Sequence, residues 1–247
     1  MRSDRILILG GTRDAREIAD ELVAAGRNVV TSLAGVTEQP VLPSGEVRVG
    51  GFGGVVGLKS YLESGHIGLV IDATHPFAAR MSVQAFEACH AIGVLLIRFE
   101  RSPWVAGEDD DWTYTPSAAE AASAVPSGAR VLLTTGRKDL QPFFDRQDIS
   151  GIARMIEASP VAPPCNWQIL RERPPFSFAG ELTLMSENAV THLVTKNAGG
   201  TSTNAKLLAA RERKIPVFMI NRPSKPVVRS FGAIGKLVSA VGGVLSP

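Results

Sequence analysis

The sequence predicts an α/β fold in two halves, each a parallel sheet with helices on both faces. Three observations carry this expectation. Short apolar runs of strand length alternate with longer runs of helical periodicity. Glycines directly follow several of the strand-like runs, and the alternation breaks near residue 100 before it restarts. The length of 247 residues, with 45% hydrophobic and 20% charged residues, suits one large or two small domains with cores of their own.

The elements follow in order. Ile6–Leu9 is a continuous apolar run stopped by Gly10-Gly11, the pattern of a central strand buried on both faces. Arg13–Ala25 places Ala15, Ile18, Ala19, Leu22 and Val23 at helical spacing, with Gly26 as the stop. Asn28–Thr31 reads as a second strand, Glu46–Val49 as a third and weaker one, and Val55–Glu63 as a helix closed by Gly65. Gly68–Asp72 is a fourth strand. Phe77–Ala91 follows as a helix that Pro76 starts, and Val94–Phe99 as a fifth strand. Between Glu100 and Pro116, the acidic run Glu108–Asp111 lies among Trp104, Trp112 and two prolines, and reads as a solvated linker. Beyond it, Ser117–Ala124 is a helix, Arg130–Thr134 and Ile152–Ile156 are strands, and Asn166–Arg171 is the start of a helix. Phe178–Asn188 is a helix with Ser177 as N-cap, His192–Thr195 a strand, Ser202–Arg213 a helix and Val217–Ile220 a strand. The apolar tail Val227–Leu245 forms a last helix or strand, on a half the sequence does not specify. The expected domains are therefore residues 1–100 and 101–247.

Composition removes several function classes. Lys+Arg 26 against Asp+Glu 24 leaves a charge of +2, so bulk adhesion to nucleic acid or membrane is not expected. The basic excess is local: Lys206, Arg211, Arg213, Lys214, Arg222, Lys225 and Arg229 face only Glu212. Arg211–Lys214 reads as a solvated face, and sparse aromatics argue against RNA or DNA. Cys89 and Cys165 make no disulfide framework, and His66, His75, His90 and His192 show no metal-ligand spacing. The run Ile6–Leu9 is too short for a secretory signal, and no uncharged run reaches about 18 residues. A reduced, cytoplasmic protein is the expectation.

Ligands of open parallel sheets bind outside the carboxyl ends of strands, and several such ends carry unusual residues here. In Gly10-Gly11-Thr12-Arg13, the glycines let backbone N–H groups approach a phosphate, Thr12 offers a hydroxyl and Arg13 a charge. The order is not G-x-G-x-x-G, so this turn alone is weak. NAD sites usually carry an acid about 20 residues beyond the glycines to take the ribose hydroxyls. Thr31–Gly35 has none, whereas Ser32 and Arg13 suit a 2′-phosphate, so a dinucleotide bound there is NADPH. Asp72 ends a buried strand, where a carboxylate without donors costs several kcal/mol; Ala73, Thr74 and His75 follow it. In the second half, Thr134-Thr135-Gly136-Arg137-Lys138 repeats the strand-to-glycine turn with two cations. Lys196-Asn197-Ala198-Gly199-Gly200-Thr201 ends another strand, without the Gly-Lys-Ser/Thr order of a P-loop. Its N–H groups and lysine suit carboxylates or phosphates, and Arg222 ends a further strand.

Together these strings resemble the motif set of the precorrin-6A reductase family, in order and over nearly the whole chain. Asp72-Ala73-Thr74-His75-Pro76-Phe77-Ala78 and Thr195-Lys196-Asn197-Ala198-Gly199-Gly200 are the specific ones. Family members often carry Ser at Ala198 and Glu at Asp14, both small changes. The resemblance implies two Rossmann-like lobes with a cleft between them, and NADPH-dependent reduction of a C=C bond of precorrin-6A to precorrin-6B in cobalamin biosynthesis. On the reading of the strand ends, the expected NADPH site is Gly10, Gly11, Thr12, Arg13, Ser32, Ala73 and Thr74. The expected site of the tetrapyrrole polycarboxylate is Gly136, Arg137, Lys138, Asn197, Gly199, Gly200, Thr201 and Arg222. His75 and Lys196 are then candidate proton donors, and Asp72 a group that orients the nicotinamide or a neighbour. Other cobalamin-pathway enzymes are conceivable partners for substrate hand-over. The rival readings are a cobalt-precorrin-6A reductase, a non-catalytic NADPH sensor and a two-lobed phosphosugar transferase.

Overall fold

The computed structural model describes residues 4–35 and 41–244. Two compact units divide the chain: Met1–Ser102 with Pro223–Pro247, and Pro103–Arg222. The expected division at residue 100 differs from this in the tail, which returns to the first unit.

The first unit is built from β1 (Arg5–Leu9), α1 (Arg13–Ala24), β2 (Val29–Leu33), β3 (Glu46–Val49), α2 (Gly54–Ser64), β4 (Ile67–Asp72), α3 (Ala79–Ile92) and β5 (Leu95–Phe99). The second holds β6 (Trp112–Thr115), α4 (Ala118–Ala124), β7 (Arg130–Leu133), α5 (Gln141–Phe144), β8 (Ser150–Met155), β9 (Trp167–Arg171), α6 (Phe178–Glu187), β10 (His192–Lys196), α7 (Ala205–Glu212) and β11 (Val217–Ile220). β12 (Arg229–Phe231) and α8 (Ile234–Val244) then complete the first.

Each unit carries one parallel sheet of six strands, in the orders β12-β5-β4-β1-β2-β3 and β6-β11-β10-β7-β8-β9. The chain reverses direction across the first sheet between β1 and β4, and across the second between β7 and β10. These are the two topological switch points, where the loops beyond the strand ends part and leave a crevice.

Period-2 alternation explains why β1 sits in the middle. Ile6 and Ile8 pack on one face with Ile18 and Leu22 of α1 and with Leu237 and Val241 of α8. Leu7 and Leu9 pack on the other, with Leu58 and Leu62 of α2 and Ala85 and Ala88 of α3. Each such aliphatic side chain contributes about 1.5–3 kcal/mol on burial, which fixes the register of β1 and so the position of its carboxyl end.

Four sequence expectations are corrected. Asn166–Arg171, expected to open a helix, is strand β9, which pairs with β8 from Gly151↔Trp167 to Met155↔Arg171. Its Trp and Ile side chains favour a pleated edge, and Pro174-Pro175 leaves no room for a helix to continue. The expected linker contains β6, whose alternating aromatic and threonine residues pair with β11. Helix α3 begins at Ala79, not at Phe77, so Pro76 belongs to the preceding turn. Finally, α7 begins at Ala205 instead of Ser202, which lengthens the loop after β10.

Candidate active site

At the switch point of the first sheet, the β1 turn is held close to β2. A Cβ on Gly10 would lie 2.9 Å from Thr31 Cγ2, so the side chain is excluded there. Gly11 has φ +103°, and a Cβ placed on it would meet open space, so the backbone is presented bare. Thr12 caps α1: its Oγ1 accepts from Ala15 N at 3.0 Å. The same hydroxyl donates to Ala73 O at 2.9 Å, which ties the glycine turn to the loop after β4. The bare Gly11 backbone and the start of α1 thus lie together beyond the end of β1, while Gly10 N is held by Ser32 O at 2.9 Å.

Asp72 anchors the second loop. Its Oδ1 accepts from Thr74 Oγ1 at 2.6 Å and Thr74 N at 3.3 Å. Its Oδ2 accepts from Ser82 Oγ at 2.6 Å and Arg98 Nε at 3.0 Å. Burial by itself raises this carboxyl's pKa; the bonds from Ser82, Thr74 and Arg98, with the Arg98 charge, outweigh it and hold the group below its ordinary value. Asp72 is therefore an ionised brace for Thr74 and not a proton source. His75 Nδ1 accepts from Phe77 N at 3.2 Å, and in the neutral ring that leaves the proton on Nε2.

The cofactor candidates separate further along the strand ends. Ser32 Oγ accepts from Arg48 Nη1 at 2.8 Å. Arg13 donates through Nε to Glu17 at 2.6 Å on an exposed face of α1. Arg48 meets Ser32 only because β3 pairs with β2, a contact that no local pattern in the sequence announces.

In the second unit, the loops after β7 and β10 meet at the other switch point. Thr134 N donates to Val194 O at 2.9 Å, and Lys196 Nζ pairs with the carboxylate of Asp139. Asp139, three residues past Gly136, is thus a second residue that sequence reasoning passed over. The Lys196–Gly200 loop is clamped by buried Asn197, which donates through Nδ2 to Trp104 O at 2.9 Å and accepts from Trp104 N at 2.8 Å. Trp104 Nε1 donates to Gly200 O at 2.8 Å, and Arg222 donates through Nε to Asn197 O and through Nη2 to Ala198 O. These contacts make Asn197 and Arg222 braces of the loop. Arg137 and Lys138 stand on the loop of Gly136, Lys138 exposed, while Gly199, Gly200 and Thr201 form the turn before α7. Lys206 of α7 is buried, with its ammonium 5.2 Å from the Trp104 ring centre.

Among the described residues no group of three or more His, Cys, Asp or Glu is placed to hold a metal ion. No described helix is long and apolar enough to cross a membrane. Both cysteines are free.

Comparison with known proteins gives one consistent result. The family model "Precorrin-6x reductase CbiJ/CobK" matches residues 5–241. Precorrin-6A reductase of Rhodobacter capsulatus is 42% identical, over 90% of this chain and 89% of its own. The Mycobacterium tuberculosis protein of that name is 40% identical, over 90% of each chain. Cobalt-precorrin-6A reductase of Priestia megaterium is 30% identical, over 88% of this chain and 90% of its own. A solved structure of CobK precorrin-6A reductase has a TM-score of 0.92 and 39% identity, covering 98% of this chain and 97% of that one.

Proposed function

The chain belongs to the precorrin-6x reductase CbiJ/CobK family, and from that membership we propose that it reduces one C=C bond of precorrin-6A, giving precorrin-6B, with NADPH as the reductant. The observation that carries the reading is the Thr12 Oγ1 to Ala73 O bond, which joins a bare glycine turn to the Asp72–His75 loop at a switch point. The 42% identity to a relative named for the cobalt-free ring, against 30% for one named for the cobalt-containing ring, supports the cobalt-free substrate.

NADPH supplies the hydride when bound, so the chain itself needs no nucleophile. The bare Gly11 backbone and the first turn of α1 would take the pyrophosphate, Gly10 and Thr12 shape that turn through their bonds to Ser32 O and Ala73 O, Ser32 would lie towards the adenosine ribose, and Ala73 and Thr74 would border the nicotinamide half. Asp72 keeps Thr74 in place through its hydroxyl and amide. In the second unit, Arg137, Lys138 and the N–H groups of Gly136, Gly199, Gly200 and Thr201 take carboxylates of the macrocycle. Asn197 and Arg222 hold the loop that presents them.

A hydride added to one carbon of a conjugated C=C–C=N system requires a proton at the other end of the system. Lys196, an ammonium oriented by Asp139, is the first candidate for it, and His75 can serve only as an imidazolium, formed when Nδ1 takes a proton in place of the bond it accepts from Phe77 N. Lys196→Ala and His75→Ala are each expected to lower kcat roughly tenfold or more. Steady-state rates with NADPH and precorrin-6A check this, and near-normal kcat in both variants would remove the two residues from the mechanism.

A further inference from the structure

We propose that Arg48 is the residue that selects a 2′-phosphorylated adenosine, a role that neither its strand nor any motif in the sequence announces. The inference rests on the dinucleotide reading of the first unit and assigns its specificity.

Ser32 at the end of β2 and Arg48 at the end of β3 are direct partners in the parallel pairing of these strands. Gly10 N donates to Ser32 O at 2.9 Å, so the phosphate turn, Ser32 and Arg48 stand side by side along one edge of the sheet. This is the line along which a dinucleotide runs from its pyrophosphate to its adenosine ribose. The Arg48 guanidinium is preorganised there. Nη1 donates to Ser32 Oγ at 2.8 Å and Gly50 O at 3.0 Å, and Nη2 donates to Gly51 O at 3.2 Å. Its Cζ lies over the Phe52 ring, 3.9 Å from the ring centre, and 5.0 Å from that of Tyr61.

Every acceptor is neutral. Among the described residues no carboxylate pairs with Arg48, unlike Arg5, Arg13, Arg98, Arg101, Arg146, Arg154, Arg173 and Arg211. A half-buried guanidinium held by carbonyls keeps its charge available for an anion. Helix α2 starts at Gly54, behind the N-cap Gly53 and without a side-chain cap, so its first N–H groups and positive dipole end add to the same field. Arg13, by contrast, is engaged with Glu17 on an exposed face.

The test is calorimetric binding of 2′,5′-ADP and 5′-AMP to the full chain and to Arg48→Met and Arg48→Lys. The unmodified chain should prefer 2′,5′-ADP by about tenfold to a hundredfold, the worth of one or two charge-assisted hydrogen bonds. Arg48→Met should lose that preference while 5′-AMP binding stays within about twofold, and Arg48→Lys should keep part of it. Equal loss for both ligands would assign Arg48 a structural role and overturn the proposal. A preference that survives in Arg48→Met would overturn it too, and would leave the NADPH reading standing. If the unmodified chain bound neither nucleotide and oxidised no NADPH, the dinucleotide reading would fail and take this proposal with it.

Discussion

Burying the ammonium of Lys206 costs hydration that its surroundings return only in part. Burial is the main cause that pushes its pKa down from 10.5 to about 7; Arg154 adds to the fall and Glu181 opposes it. Between those two pH values the unfolded chain holds more protons than the folded one, so this group makes stability rise with pH across that window. Below about pH 7 the full penalty is present. Lys206→Met should therefore stabilise the protein by about 1–4 kcal/mol near neutral or lower pH, as when buried ions give way to apolar groups. The gain should shrink as pH approaches about 10. Urea titrations at several pH values check this, and a gain independent of pH would show that the charge is not what costs. Asp72 makes the opposite point about legibility. Its place at the end of a buried strand was enough to demand donors, and the structure supplies them from Thr74, Ser82 and Arg98. The identity of those donors was not legible, because Arg98 lies 26 residues away and reaches Asp72 through β4–β5 pairing. Arg48 and Asp139 escaped for the same reason: each has meaning only beside a partner that strand order brings to it.

Elements with one dominant signal were read closely from sequence. β1, β4 and β11 are short apolar runs with both faces buried, and α1 has a clean apolar stripe with a threonine cap. Elements with competing signals were not. β9 carries half-exposed Ile169 and Leu170 beside a buried Trp167, a pattern too short to separate strand from helix by period. β6 follows directly on an acidic run, and Asp110 of that run is paired with Arg211 instead of being free in solvent. The return of β12 and α8 to the first sheet depends on surfaces the tail does not itself encode. Leu237 of α8 is fully buried against the α1 face of that sheet. Leu237→Ala should accordingly destabilise the first unit by roughly 2–5 kcal/mol, read as a lower midpoint in urea. An effect below about 0.5 kcal/mol, the scale of surface substitutions, would mean that α8 does not seal this core.

At the scale of the molecule, the two units repeat one plan. Each sheet has its switch point beside its middle strand, and each fills its sixth position with an element from the far end of its own sequence order: β12 with α8 in the first, β6 with α4 in the second. The alternation of runs made two parallel sheets legible, while the placing of β12 and β6 at the outer edges was not, since nothing local distinguishes which edge a strand will join. The plan places a bare glycine turn with Thr12 and Asp72 at one switch point, and a lysine–aspartate pair with clamped glycines at the other. On this basis the chain is read as the catalyst of a two-electron reduction of an anionic tetrapyrrole. The most direct measurement mixes the purified protein with NADPH and precorrin-6A and follows nicotinamide absorbance together with the mass of the macrocycle. The account predicts that one NADPH is consumed per macrocycle, and that the macrocycle gains two hydrogens. Unchanged absorbance, or NADPH loss with no gain in mass, would contradict it.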